Sequence, residues 1–103
     1  MIKADLQGIL NQINTLTSNS QDNISEFISL VKQSAEKLQM LQQEDKSPML
    51  DAWLGMGLQE IRRELNEHLK NGFESLSPDR QKTEFMYSKS TVTMALTNIL
   101  MHL

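Results

Sequence analysis

Between Ile24 and Leu41 the apolar residues Ile24, Phe27, Ile28, Val31, Ala35, Leu38 and Leu41 fall three or four positions apart, with Phe27 and Ile28 adjacent, and no Gly or Pro interrupts them. That spacing puts all seven on one face of a helix of about five turns, and a chain holding such a stripe must bury it against other helices. Asn23 followed by Glu26 is an Asn-type capping box, which predicts that this helix starts near Ile24. The same periodicity recurs on both sides. Ile2, Leu6, Ile9, Leu10, Ile13 and Leu16 form one face of a first helix over roughly 2–17, followed by the polar stretch 17–23.

After Glu44, Asp45 and Lys46 end the second stripe, Ser47-Pro48 supplies a capping hydroxyl and a proline suited to the first helical position. Leu50, Leu54, Leu58, Ile61, Leu65 and Leu69 then carry a third helix toward Asn71-Gly72, where Gly can adopt the left-handed C-cap. Gly55 and Gly57 inside it cost about 1 kcal/mol each against Ala, and close helix packing beside Trp53 is the expected reason. Ser77-Pro78-Asp79 repeats the start signal, and Phe85, Val92, Leu96, Ile99 and Leu103 form the last stripe over roughly 78–102. Ser90-Thr91-Val92-Thr93 has weak helix propensity, so packing has to hold that stretch. No segment alternates apolar and polar residues at strand spacing. The expected fold is all-α, a single domain over 1–103 built as a small three- to four-helix bundle or an extended helical hairpin.

Ten Lys+Arg against thirteen Asp+Glu give a net charge of -3, which provides no electrostatic footprint for nucleic acid or an anionic membrane. The absence of Cys removes disulfides, thiolate metal sites and a Cys nucleophile. Met1 to Leu10 contains Asp5 and lacks a continuous apolar core, so no cleavable signal peptide is expected. The chain is expected in the cytoplasm, or outside the cell by a signal-peptide-independent route.

The side chains offer little for catalysis. His68 and His102 are the only near-neutral bases, and phosphate-loop, nucleophile-elbow and dinucleotide motifs are missing. Glu64 and His68, one turn apart, suit a shared proton or half of a metal site, but the Glu-x-x-His and His-Glu-x-x-His spacings of metal-binding helices are lacking. We therefore expect no catalytic residues, no metal and no cofactor, and read His68 as a boundary histidine. Arg62 and Arg63 among Glu60, Glu64 and Glu67 read as a solvated face, with Arg63 and Glu67 as an i,i+4 pair. Seven Met is many for this length; filling gaps in a core is their expected role, with an adaptable surface for an irregular apolar partner as the alternative.

From Ser90 to Leu103 there is no Asp, Glu, Lys or Arg, while Val92, Met94, Ala95, Leu96, Ile99, Leu100, Met101 and Leu103 cover more than half of the helix circumference. The segment is shorter than the roughly 20 residues that span a bilayer, so it must pack on protein. Two placements satisfy it: the centre of the bundle, or an assembly surface. For the second, the interface residues are Val92, Met94, Leu96, Ile99, Leu100, Met101 and Leu103, with Trp53 as an anchor.

The run Ser90-Thr91-Val92-Thr93-Met94-Ala95-Leu96, preceded by Tyr87 and followed by Ile99 and Leu100, resembles the C-terminal helix of type III secretion needle subunits. Ser47-Pro48-Met49-Leu50 resembles their hairpin loop. This resemblance implies helix packing within a secretion assembly. Trp53-Leu54-Gly55 is similar to the Trp-x-Gly turn of small helical hairpins exported by type VII systems. The functional expectation is a non-enzymatic interaction protein, a subunit or small chaperone of a larger assembly, oligomeric or in a hetero-complex through the apolar C-terminal helix. The alternative is an adaptor or inhibitor bundle that binds one protein target through the Glu60 to Lys70 face or the region around Trp53 and Met56.

Overall fold

A computed structural model describes residues 2–18, 20–44, 48–69 and 73–103. Four helices account for most of them: α1 (Ile2–Thr15), α2 (Gln21–Glu44), α3 (Pro48–Arg63) and α4 (Pro78–Met101). A π turn over Glu64–His68 extends α3, and a 3-10 turn over Phe73–Ser75 precedes α4. Helix α1 packs against α2 and α4, and α3 packs against the same two. Lys89 reaches the end of α1, while Ile2 and Leu103 share a recess at the opposite end, so α1 and α4 run antiparallel. Trp53 meets His102 and His68 meets Glu84, which makes α3 and α4 antiparallel as well. The result is an up-down-up-down four-helix bundle of 43 × 23 × 17 Å. An open hairpin would leave these stripes wet, and closing the fourth helix onto the first removes them from water.

Local signals explain most boundaries. Ser77 caps α4, its hydroxyl accepting from the Arg80 amide at 3.3 Å, with Pro78 at the first helical position. Helix α2 starts three residues earlier than the Asn23 box predicts, because Ser20 provides the cap: its Oγ accepts from the Asn23 amide at 3.1 Å. Helix α1 stops at Thr15, and a distant side chain completes its end. Lys89 Nζ donates to the carbonyls of Leu16 at 2.8 Å and Asn14 at 3.4 Å, placing a cation at the negative end of the helix. The expected signals at Asp45-Lys46-Ser47 and Asn71-Gly72, and Lys70 of the alternative face, lie outside the described residues.

The core holds the sequence stripes nearly intact. Leu6 and Ile13 from α1, Phe27, Val31 and Leu38 from α2, Leu54 and Ile61 from α3, and Val92, Leu96 and Ile99 from α4 are fully or almost fully buried. Phe27 and Phe85 meet across the diagonal with ring centroids 4.7 Å apart and planes tilted by 52°. The weak Ser90–Thr93 stretch is indeed helical. Thr93 Oγ1 donates to the carbonyls of Lys89 and Ser90 at 2.8 and 3.1 Å, and Val92 beside it is in the core. Buried Gln81 ties three elements together. It accepts from Gln21 at 2.8 Å and donates to the carbonyls of Phe73 and Leu76 at 3.4 and 3.2 Å.

Helix three departs from a regular stripe at its end. Leu69 N donates to Glu64 O at 2.8 Å, an i to i−5 bond that inserts one extra residue into the turn. Glu64, where the π turn begins, lies three residues after buried Ile61 and seven after buried Gly57 on the inner face of α3 and is 5% exposed, so it does not belong to the solvated face expected from its charged neighbours.

The two glycines of α3 also separate. A Cβ on Gly57 would run into Ile99 Cδ1 and lie 3.2 Å from its Cγ1, whereas a Cβ on Gly55 would meet nothing nearer than Gln42 Nε2 at 4.0 Å. Close packing therefore accounts for Gly57 and not for Gly55. Gly57→Ala is expected to destabilise by about 1 kcal/mol, overpacking outweighing the helix-propensity gain. Gly55→Ala should stabilise by up to about 1 kcal/mol. Urea melts of the two variants check the opposite signs, and an Ile99→Val background, which lacks the colliding methyl but keeps the atom at 3.2 Å, should reduce the Gly57→Ala penalty.

Among the described residues, one buried side-chain polar atom has no partner: Ser88 Oγ, on the core face of α4. An orphaned hydroxyl costs about 1–3 kcal/mol, and Ala is the better helix former. Ser88→Ala should therefore raise stability by about 1 kcal/mol or more. A lower denaturation midpoint would show that the hydroxyl fills space that the methyl leaves empty.

Candidate interaction surface

Helix periodicity places Met49, Trp53, Met56 and Glu60 on one flank of α3, the flank turned toward α4. Across the interhelical groove, Trp53, Met56, Gly57 and Glu60 face Ala95 and Asn98 of α4 around a shallow recess of about 40 Å³. The half-buried Trp53 ring stacks on the imidazole of His102, with centroids 4.1 Å apart and planes 23° from parallel. His102 is itself oriented. Its Nδ1 lies 2.7 Å from the Asn98 carbonyl oxygen, which only accepts, so Nδ1 carries the proton. Trp53 is thus held against the C-terminal end of α4 with part of its indole open to solvent.

The methionines do not fill the core. All six described ones, Met40, Met49, Met56, Met86, Met94 and Met101, are exposed, reaching 72% at Met49 and 76% at Met101. Their positions between the apolar stripes explain this: Met94 and Met101 follow a seven-residue step on the side of α4 opposite Val92, Leu96 and Ile99. Branched Leu, Ile and Val take the interior of the bundle, and the unbranched, polarisable thioethers are left on the outside.

The expected interface residues accordingly divide. Val92, Leu96 and Ile99 are used inside the chain's own core, Leu100 and Leu103 are partly buried against it, and Met94 and Met101 point outward. Trp53 lies between, half-buried at the α3–α4 groove. Bundle closure consumes one side of the uncharged helix and leaves the other side, together with the Met49–Met56 flank of α3, as an apolar surface. The exposed Tyr87 also lies on α4, and its sequence marks it only through the needle-subunit resemblance. Its phenol carries no periodic signal, because it lies off the buried stripe.

A second cluster joins the π turn to α4. His68 Nδ1 is 2.7 Å from Glu84 Oε2, its Nε2 is 3.7 Å from Glu64 Oε2, and Arg80 Nη2 is 3.3 Å from the other oxygen of Glu84. The spacing of Glu64 and His68 in the sequence signals one of these contacts. Glu84 comes from another helix and has no such signal. The short His68–Glu84 bond ties the widened turn to α4, a structural task that suits a half-buried histidine. Among the described residues, no group of three or more His, Asp or Glu is arranged to hold a metal ion. Nor is any described helix long and apolar enough to cross a membrane.

Arg62 and Arg63 extend from the other flank of α3, toward α2. Arg62 Nη2 donates to Gln39 Oε1 at 3.2 Å, and the expected Arg63–Glu67 ion pair does not form. Comparisons with protein families, characterised proteins and solved structures returned no match.

Proposed function

We propose that this chain is a non-enzymatic helical interaction protein, a subunit or small chaperone of a larger assembly, which docks through the face shared by α3 and α4. The observation that carries this reading is the distribution of methionine: none of the six described Met residues is buried, and four of them, Met49, Met56, Met94 and Met101, lie on the two helices that hold Trp53. Flexible thioethers around an oriented indole suit an apolar partner of irregular shape, because Met adapts its side chain and Trp is enriched at interface anchors. The leading and alternative expectations from the sequence meet here, since the free side of α4 and the Trp53 region border one groove. A secretion apparatus is the setting that the needle-subunit resemblance contributes to the proposal.

The test replaces Met49, Met56, Met94 and Met101 together by Ser, with Met40 and Met86 replaced by Ser as the control. All six are exposed, so both variants should keep their helical circular dichroism. Sedimentation of the pure protein and co-purification from cells that naturally make the chain then report self-association and partner capture. The four-site variant is expected to lose binding by about tenfold or more, while the control keeps it. Complexes that survive both the four-site variant and Trp53→Ala would refute the proposed face.

A further inference from the structure

From the groove between α2 and α3 we infer a second recognition site, one that takes a short acidic peptide segment. The groove is open, with a volume of about 460 Å³, and it lies on the flank of α3 turned away from the methionine face, so it stands independently of the function proposed above. Arg62 and Arg63 both line it. Neither guanidinium has a carboxylate within ion-pair distance among the described residues, and the only polar partner of Arg62 is the neutral amide of Gln39. Two adjacent unneutralised guanidinium forks match carboxylates in bidentate geometry.

The other lining groups narrow the ligand to a peptide. Gln42, Gln59 and Asn66 present carboxamides, each able to donate and accept, which is the complement of a main-chain amide. Gly55 lies in the same lining, and a Cβ there would meet nothing nearer than Gln42 Nε2, itself a lining group, at 4.0 Å. A helix-interior glycine with no packing reason leaves room for another backbone to approach closely. Glu67 in the same lining and the net charge of -3 oppose a dense polyanion such as nucleic acid. Discrete Asp or Glu side chains along a peptide satisfy both arginines without crowding that carboxylate.

The test titrates the isotopically labelled full chain with an acetylated, amidated Gly-Glu-Gly-Glu-Gly peptide and follows nitrogen–proton spectra. Expected are saturable shifts at the Gly55 amide and the Arg62 and Arg63 Nε signals, weakening as salt is raised. Arg62→Gln and Arg63→Gln should each reduce the affinity about tenfold. Gly55→Leu, which fills the floor, should reduce it at least as much while the thermal melt shows the chain still folded. The matching Gly-Gln-Gly-Gln-Gly peptide should leave the spectrum unchanged. Equal shifts with the Gln peptide, equal affinity for acetate or inorganic phosphate, tighter binding of a single-stranded oligonucleotide, or no shift at millimolar Glu peptide would each overturn the inference.

Discussion

Removing residues 90–103 should unfold the whole protein rather than release a dispensable docking tail. Val92, Leu96 and Ile99 are essentially inaccessible to water and Ala95 nearly so, and they pack in the same core as α1, α2 and α3. Burying each of the three larger side chains contributes about 1.5–3 kcal/mol, and a domain of this size has only about 5–15 kcal/mol in total. The truncation also exposes the faces of α1 and α3 that α4 covers. The far-ultraviolet helical signal should therefore collapse well beyond the share of residues removed. If the shortened chain keeps the helicity and cooperative melting of its remaining residues, α4 is an appendage and not a wall of the bundle. The experiment also shows why deletion is the wrong way to test partner binding here. Loss of a partner after truncation would report unfolding, whereas the exposed Met positions separate surface from core.

The second large effect is expected at Phe27, which is fully buried and set against Phe85 across the diagonal of the bundle. Phe27→Ala should cost about 3–5 kcal/mol, from lost transfer energy and the cavity left where rigid helices collapse only partly. The tilted ring pair adds to the loss, since such pairs contribute about 0.5–1.5 kcal/mol beyond their buried area. For a domain of this length the thermal midpoint should fall by about 15–25 °C. Phe27→Leu, which fills most of the volume, should recover more than half of that loss. A Phe27→Ala midpoint within a few degrees of the parent would mean that the diagonal contact is not a feature of the folded protein in solution.

These two expectations rest on different kinds of evidence. Phe27 lies in a stripe whose burial is plain from spacing alone. For the segment from Ser90 to Leu103, spacing and composition allow either a core helix or an assembly surface. The structure divides it by side: the positions in step with Phe85 go inward, and Met94 and Met101, out of step with them, stay outside. The candidate surface was therefore half legible. Trp53, Met56, Met94 and Met101 stand out in the sequence as apolar residues with an interface role, but the α3 and α4 members, with Met49, become one face only when α3 lies beside α4. The Arg62–Arg63 pair reads as an ordinary charged helix face until the missing carboxylates and the open floor at Gly55 are seen in three dimensions.

What the sequence determined by itself is local. The all-α class, most helix boundaries and the identity of most core residues follow from apolar periodicity, Ser-Pro starts and the absence of strand alternation, because these depend on neighbours within one or two turns. What only the tertiary structure decided depends on residues far apart in the chain. Closure of the bundle rather than an open hairpin, the burial of Glu64, the capping of α1 by Lys89 and the exposure of the described methionines all arise when four stripes compete for one interior. A helix can bury only the side that meets its neighbours, so packing geometry, and not hydrophobicity, chose which apolar residues remain in contact with water.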